Sequence, residues 1–131
     1  MNKYELCRLY AQYLQEEGYR PQIDEYGEFV EFRYEGKLYY ILIDEADEQF
    51  FRLVFPNVWA IRNEEEMERV ISAALNATVN TKVAKIMPYR GNVWAVVELF
   101  CSPPDRFEAV FDRCLSALQA VVRLFKEEME Q

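Results

Sequence analysis

The sequence of 131 residues contains no histidine, which removes the commonest zinc ligand and the usual general base at neutral pH. It has only four glycines, and no glycine-rich phosphate-binding loop is present. We therefore predict no cofactor. Hydrophobic residues account for 51% of the chain, which is enough to form a packed core. One folded domain over residues 1–131 is expected.

Long apolar runs are also missing, since none approaches the roughly 20 residues that a membrane-spanning helix requires. The first segment, MNKYELCRLY, has charges within its apolar pattern and lacks a signal-peptide cleavage site. We expect a soluble, cytoplasmic protein with no membrane partner. The net charge of −8 disfavours nucleic acid as a partner, because that affinity comes largely from Lys and Arg that neutralise phosphates.

The three cysteines, Cys7, Cys101 and Cys114, are an odd number and show no C-x-x-C spacing. Free, buried thiols are therefore predicted. A nucleophilic role for Cys101 is the alternative, and it would need a Lys or a carboxylate as its base because no histidine is available.

Hydrophobic spacing predicts three helices and five strands in the order α-β-β-β-α-β-β-α. Asn2 with Glu5 should cap the first helix (residues 3–17), and Asn63 with Glu66 should cap the second. The predicted strands span residues 28–35, 38–43, 50–55, 82–89 and 93–100, and the last helix begins at Ser102-Pro103-Pro104-Asp105. Because most connections between strands are short, we expect an α+β domain with one mainly antiparallel sheet.

The helices also carry predictions about burial. In the second helix the expected buried stripe consists of Met67, Val70, Ile71, Ala74 and Leu75. The final residues, KEEMEQ, are expected to extend into solvent.

An acidic segment, DEADE (44–48), separates the second and third predicted strands. A calcium loop of the EF-hand type needs glycine at its sixth position and Glu at its twelfth, but those positions hold Gln49 and Phe55. We interpret the segment as a solvated turn. The alternative is a divalent-metal site, for which the candidate ligands are Asp44, Asp47 and Glu48.

Two predicted strands, 38–43 and 93–100, are apolar on both faces, whereas a sheet covered on one side needs only alternate apolar residues. Either the helices divide between the two faces, or part of one face is left for another chain. On the second interpretation the candidate partner-binding residues are Tyr39, Ile41, Ile43, Trp59, Trp94 and Val96.

The order of the elements resembles the type III secretion chaperone-like fold and the YbjN-like bacterial domains that share it. The resemblance rests on the strand blocks EFVEFRYEGKLYYILID and FFRLVF, the helix EEEMERVISAALN and the closing pair KVAKIMPYRGNVWAVVELF. It implies a non-enzymatic bacterial protein, often dimeric, that holds an extended segment of a client protein against its surface.

We therefore predict a protein–protein interaction domain that forms a homodimer and binds a client segment on apolar sheet or helix surface. One alternative is an acidic inhibitor or immunity-type protein that binds a basic enzyme through charge complementarity. Another is an enzyme that uses the acidic loop, Asp44 to Glu48, with a divalent ion.

Overall fold

Three α-helices, one 3₁₀ helix and six strands form the fold in the computed structural model, which describes residues 1–131. The helices are α1 (Lys3–Glu16), α2 (Glu64–Val79) and α3 (Phe111–Met129), and the 3₁₀ helix is Pro104–Ala109. The strands are β1 (Gln22–Ile23), β2 (Phe29–Tyr34), β3 (Lys37–Leu42), β4 (Phe50–Phe55), β5 (Ala84–Tyr89) and β6 (Asn92–Phe100). They form one antiparallel sheet in the order β1-β2-β3-β4-β6-β5.

The predicted α+β class with an antiparallel sheet is confirmed, but the sheet has six strands rather than five. The additional strand is β1, whose two residues pair antiparallel with β2. Two residues are too few to leave an alternating hydrophobic pattern. A second difference is that the residues after Pro103 form a 3₁₀ helix before α3 begins at Phe111.

Two predictions about helix burial need correction. The buried face of α2 consists of Glu66, Val70, Ala73, Ala74 and Ala77, so the exposed Ile71 and Leu75 lie outside it. The predicted stripe lacks Ala73 and Ala77, because alanines carry little hydrophobic signal, and it is therefore rotated around the helix axis. The C-terminal residues do not simply extend into solvent, because α3 continues to Met129 and that side chain is only 3% exposed.

The chain divides into two compact units. Unit 1 consists of Met1–Val54 and Glu98–Phe111, and unit 2 consists of Phe55–Val97 and Asp112–Gln131. The single domain predicted for residues 1–131 stays a prediction, and each unit is described separately.

In unit 1, α1 begins with the predicted capping box. The Asn2 side chain accepts a hydrogen bond from the Glu5 backbone N–H at 2.9 Å, and the Glu5 carboxylate accepts one from the Asn2 N–H at 3.1 Å. These two bonds satisfy donors that the first helical turn leaves without intrahelical partners.

The core of unit 1 is a cluster of aromatic rings around Phe107 of the 3₁₀ helix. This ring lies 4.9 Å from Tyr10 and 5.1 Å from Tyr13, both edge-on, and it stacks on Phe51 at 5.3 Å. Edge-to-face and offset contacts of this kind stabilise a core beyond simple area burial. Phe107 is completely buried and therefore ties α1 and β4 to the 3₁₀ helix.

Both tight hairpins have two residues with positive φ. In unit 1, Glu35 (φ 52°) and Gly36 (φ 77°) connect β2 to β3, and in unit 2, Arg90 (φ 49°) and Gly91 (φ 77°) connect β5 to β6. Two successive positive φ values match the right-handed twist of the flanking strands, which explains why glycine occupies the second position.

In unit 2, the small residues of α2 pack on β5. The Thr78 hydroxyl of α2 accepts a hydrogen bond from the backbone N–H of Ile86 in β5 at 3.1 Å, and this bond joins the helix to the strand. The buried residues of α3 in this unit are Cys114, Leu115, Leu118, Val121, Val122, Phe125 and Met129. Their helical spacing places them on one broad apolar face.

Glu66 organises the start of α2. Its carboxylate accepts hydrogen bonds from the Arg62 backbone N–H at 3.1 Å and from the Arg62 Nη2 at 2.6 Å. In the predicted capping box the Glu66 carboxylate would accept from the Asn63 backbone N–H, but it accepts from the N–H of Arg62, one residue earlier. The other half of the box is present, because the Asn63 side chain accepts a hydrogen bond from the Glu66 N–H at 2.8 Å. The Arg62 bonds, with a further one from the Trp59 side chain, lower the pKa of Glu66 to about 2.

We predict that Phe107→Ala lowers the free energy of unfolding by about 3–5 kcal/mol, because it removes a ring that contacts several others and leaves a cavity. Urea denaturation measures this change. Phe100→Ala is the matched control, since that ring is 78% exposed, and it should change stability by less than about 1 kcal/mol. Equal losses in both variants would contradict the assignment of Phe107 to the core.

The lowered pKa of Glu66 predicts a specific acid sensitivity. A carboxyl group whose pKa is about 2 when folded and 4.5 when unfolded stabilises the fold above pH 4.5. This contribution disappears as the pH falls from about 5 to about 2. Urea unfolding from about pH 7 to about pH 2 should show a lower unfolding free energy for Glu66→Gln than for the wild type at pH 7, with the two values converging in acid. Glu65→Gln, an exposed carboxylate in the same turn, should track the wild type.

Candidate functional site

The strand register of unit 1 separates the sheet residues into two faces. Cross-strand pairs such as Phe32 with Tyr39 and Ile41 with Leu53 define the covered face, whose side chains are at most 1% exposed. The alternate residues define what we call the open face. Its apolar members that remain partly or largely exposed are Phe29, Leu38, Tyr40, Leu42, Phe50 and Phe100.

Helical residues of unit 1 contact the covered face. The Tyr10 ring of α1 lies 5.9 Å from Phe51, and the Phe111 ring lies 5.8 Å from Phe32. In this unit one face of the sheet therefore packs in the core, and the other face carries apolar side chains that are exposed to solvent. Whether another chain covers this face stays a prediction.

Aromatic pairs dominate the open face. Phe29 and Tyr40 are 4.9 Å apart on β2 and β3, and Phe50 and Phe100 are 5.7 Å apart on β4 and β6. Phe100 is 78% exposed although it is one of the largest apolar side chains in the protein. Val54, directly opposite Tyr40, is completely buried. The exposed apolar surface is thus carried by the rings and by Leu38 and Leu42.

An ion pair lies among these rings. The Arg52 Nε is 3.2 Å from the Glu98 carboxylate, and the Arg52 guanidinium lies over the Phe50 ring at 5.4 Å. Arg52 Nε is shielded from solvent and has no aligned hydrogen bond. The pair is neutral overall, so the open face combines apolar area with one orienting donor–acceptor pair, as binding surfaces often do.

The candidate residues Tyr39 and Ile41 belong to the covered face and are completely buried, so they are corrected from partner-binding to core residues. Ile43 is half-buried. Because β3 is apolar at every position from Leu38 to Leu42, its alternation does not distinguish one face from the other. Only the pairing with β2, where Glu31 and Arg33 alternate with apolar residues, identifies the exposed side.

The candidate residues in unit 2 differ in exposure. Trp59 is half-buried with its ring edge-on to Phe125 at 6.1 Å, and Trp94 is half-buried beside Tyr89 at 4.6 Å. Val96 is only 6% exposed and offers little area to a partner. Trp59 also donates its backbone N–H to the Asn92 side chain at 3.1 Å, which makes it part of the local structure.

The acidic segment forms two successive turns, as predicted. Asp44 Oδ1 accepts a hydrogen bond from the Ala46 N–H at 3.0 Å, and Asp47 Oδ1 accepts one from the Gln49 N–H at 3.1 Å. Glu48 pairs with the Met1 ammonium group at 3.0 Å. The structure contains no group of three or more His, Cys, Asp or Glu side chains placed to hold a metal ion.

All three cysteines are free and buried, which confirms the prediction for them. Burial raises the pKa of the Cys101 thiol. A raised pKa reduces the fraction of reactive thiolate, so the environment of Cys101 works against a nucleophilic role.

No helix of this structure combines the length and the apolar character needed to cross a lipid bilayer.

No protein-family model matches the chain, and no match was found among curated proteins. A solved structure does match. It is described as an uncharacterized protein from Methanothermobacter thermautotrophicus, with a TM-score of 0.57 and 14% sequence identity. The match covers 95% of this chain and 94% of that chain. Likeness at this identity shows a shared fold and nothing about activity.

The turn interpretation of the acidic segment predicts that Asp44→Asn and Asp47→Asn leave the unfolding free energy unchanged, since an amide oxygen accepts the same bonds. Each alanine variant should lose about 0.5–1.5 kcal/mol. Calorimetry with calcium, magnesium and manganese should show no saturable heat. A saturable heat that the asparagine variants abolish would instead establish a cation site.

Proposed function

We propose that this protein is a non-enzymatic interaction domain that docks a segment of a partner protein on the open face of unit 1. The observation that carries this proposal is the exposure of paired aromatic rings on an otherwise ordered sheet, above all Phe100. An apolar side chain of this size contributes about 1.5–3 kcal/mol when it is buried. Covering several of them together therefore favours association.

Docking across the face is better supported than addition of a strand to a sheet edge. In unit 1 the edge strand β1 has only two residues, which offers few backbone hydrogen bonds. In unit 2 the edge strand β5 contains Lys85 and Pro88, and both residue types discourage strand addition. The backbone edges are thus poor templates, and the side chains of the open face are the better recognition surface.

The partner should carry apolar side chains for the rings and a polar group near Arg52 and Glu98. We infer that this pair gives orientation and selectivity, because a partner that covers it without a hydrogen bond would leave a buried polar group unsatisfied. A client-holding protein of the secretion-chaperone-like or YbjN-like kind is the class of protein this proposal favours. It would be cytoplasmic, bacterial and homodimeric.

The proposal predicts that a photo-cross-linking benzoylphenylalanine placed at Phe100 captures a specific protein in native host lysate. The same group at Tyr26, an exposed loop residue of unit 1, is the matched control and should not capture that protein. The purified partner should then bind Phe100→Glu at least about tenfold more weakly than wild type by calorimetry, because a charge replaces a buried ring. Equal capture at both positions would contradict docking on the open face.

Salt dependence separates this proposal from the acidic-inhibitor alternative. Apolar docking should change little between low and high salt, whereas binding driven by the net charge of −8 should weaken steeply. A steep loss of affinity in salt, with no effect of Phe100→Glu, would favour the inhibitor.

A further inference from the structure

A surface cavity of about 500 Å³ lies in unit 2, between the residues that follow α2 and one side of α3. The segment after α2 contributes Asn80, Thr81 and Lys82, and α3 contributes side chains between Asp112 and Leu124. Sites for small molecules in proteins are typically cavities of roughly 300–1,000 Å³. The size of this cavity therefore fits a small molecule.

Three basic side chains line the cavity, although the protein as a whole is acidic. They are Lys82, Arg113 and Arg123, and one carboxylate, that of Asp112, accompanies them. Three positive charges against one negative charge leave the lining with a net charge of +2, in a chain whose net charge is −8. A concave surface with an excess of one sign focuses the electric field and attracts ions of the opposite sign. The cavity is therefore suited to an anion.

Two of these cations have no carboxylate partner within the protein. Lys82 and Arg113 are exposed, and neither forms an ion pair. Arg123 lies 3.9 Å from Glu127 on the next turn of α3, and both of these side chains are largely exposed. An exposed pair at this distance contributes little stability, so a ligand can compete for the guanidinium.

The spacing along α3 determines the shape of the cavity. The two arginines are ten residues apart, which corresponds to about 15 Å along the helix axis. Between them the side chains of α3 that line the cavity are small: Ser116, Ala117 and Ala120. Small side chains leave room for ligand atoms, and the Ser116 hydroxyl can donate a hydrogen bond to a ligand oxygen. The cavity is thus elongated, with basic groups beside an apolar wall.

We propose that this cavity binds a small organic phosphate, with the phosphate held by Lys82 and Arg113 and the carbon skeleton against Ala117, Ala120 and Leu124. A phosphate monoester carries a charge of about −1.5 to −2 at pH 7, which balances the charge of the lining, whereas one carboxylate would balance only half of it. A guanidinium binds phosphate oxygens in pairs, and an ammonium group binds them as a point charge. The site lies wholly in unit 2 and is independent of the open face of unit 1.

Phenyl phosphate is a suitable probe, because it joins a phosphate to a small apolar ring. Nitrogen–proton correlation NMR at constant ionic strength should show saturable shifts of the backbone signals of residues 80–82 and 112–124, with a Kd of about 0.1–5 mM. Inorganic phosphate should bind at least about threefold more weakly, and phenol should not saturate up to about 20 mM. The absence of saturable shifts with phenyl phosphate, or the same shifts with phenol, would overturn the proposal. Equal affinity for inorganic phosphate would overturn the apolar half of the site.

Single charge removals test which side chains hold the phosphate. Arg113→Gln and Lys82→Gln should each raise the Kd for phenyl phosphate by at least about fivefold. Lys126→Gln is the matched control, because it removes the same charge from α3 at a residue that does not line the cavity, and its Kd should stay within about twofold of the wild type. Melting temperatures establish that the variants are folded. An unchanged Kd in Arg113→Gln or Lys82→Gln, or an equal loss in Lys126→Gln, would overturn this assignment.

Removal of the one carboxylate in the lining should have the opposite effect. Asp112→Asn should lower the Kd for phenyl phosphate by about twofold to fivefold, because it removes a repulsion from the phosphate. Asp105→Asn removes a carboxylate outside the cavity and should leave the Kd unchanged. An unchanged or raised Kd in a folded Asp112→Asn variant would overturn the proposed charge balance of the site.

Discussion

One constraint explains most of what is specific to this protein: in unit 1 helical residues pack on one face of a sheet that also carries apolar side chains on its other face. Tyr10 and Phe107 place their rings against Phe51, and Phe111 reaches Phe32, so this side becomes a dry aromatic core. Because side chains alternate along a strand, burying Phe51 and Leu53 necessarily turns Phe50 and Arg52 to the other side. The open face is thus a geometric consequence of how the core is built, and its aromatic content is why we propose it as a binding surface.

Several acidic residues accept local hydrogen bonds, although their number first suggests a metal site or a basic partner. Glu5 and Glu66 accept hydrogen bonds at helix starts, and Asp44 and Asp47 close turns by accepting bonds from nearby backbone N–H groups. Such local bonds satisfy donors that secondary structure leaves unpaired, and they need no metal or partner. These four carboxylates are therefore tied to local structure.

Two surfaces of the protein expose apolar side chains and differ in character. The open face has aromatic rings around the Arg52–Glu98 ion pair. The outer side of α2 carries the exposed aliphatic side chains of Ile71, Leu75 and Val79. Hydrophobic spacing alone predicts neither surface correctly. It places Leu75 in the core because Ala73 and Ala77, which are buried, carry little hydrophobic weight.

The sequence alone predicts local bonding: the caps at Asn2 and Asn63, the turn in the acidic segment, and the order of all elements except the two-residue β1 and the 3₁₀ helix. These depend on interactions between residues a few positions apart, which the sequence displays directly. Tertiary structure alone decided that Tyr39 is core while Tyr40 faces solvent, that Met129 is buried, and that Ile71 and Leu75 are exposed. Those outcomes depend on which face of an element packs against residues that are distant in the sequence. Where an element is apolar on several sides, its own sequence does not indicate which side is buried.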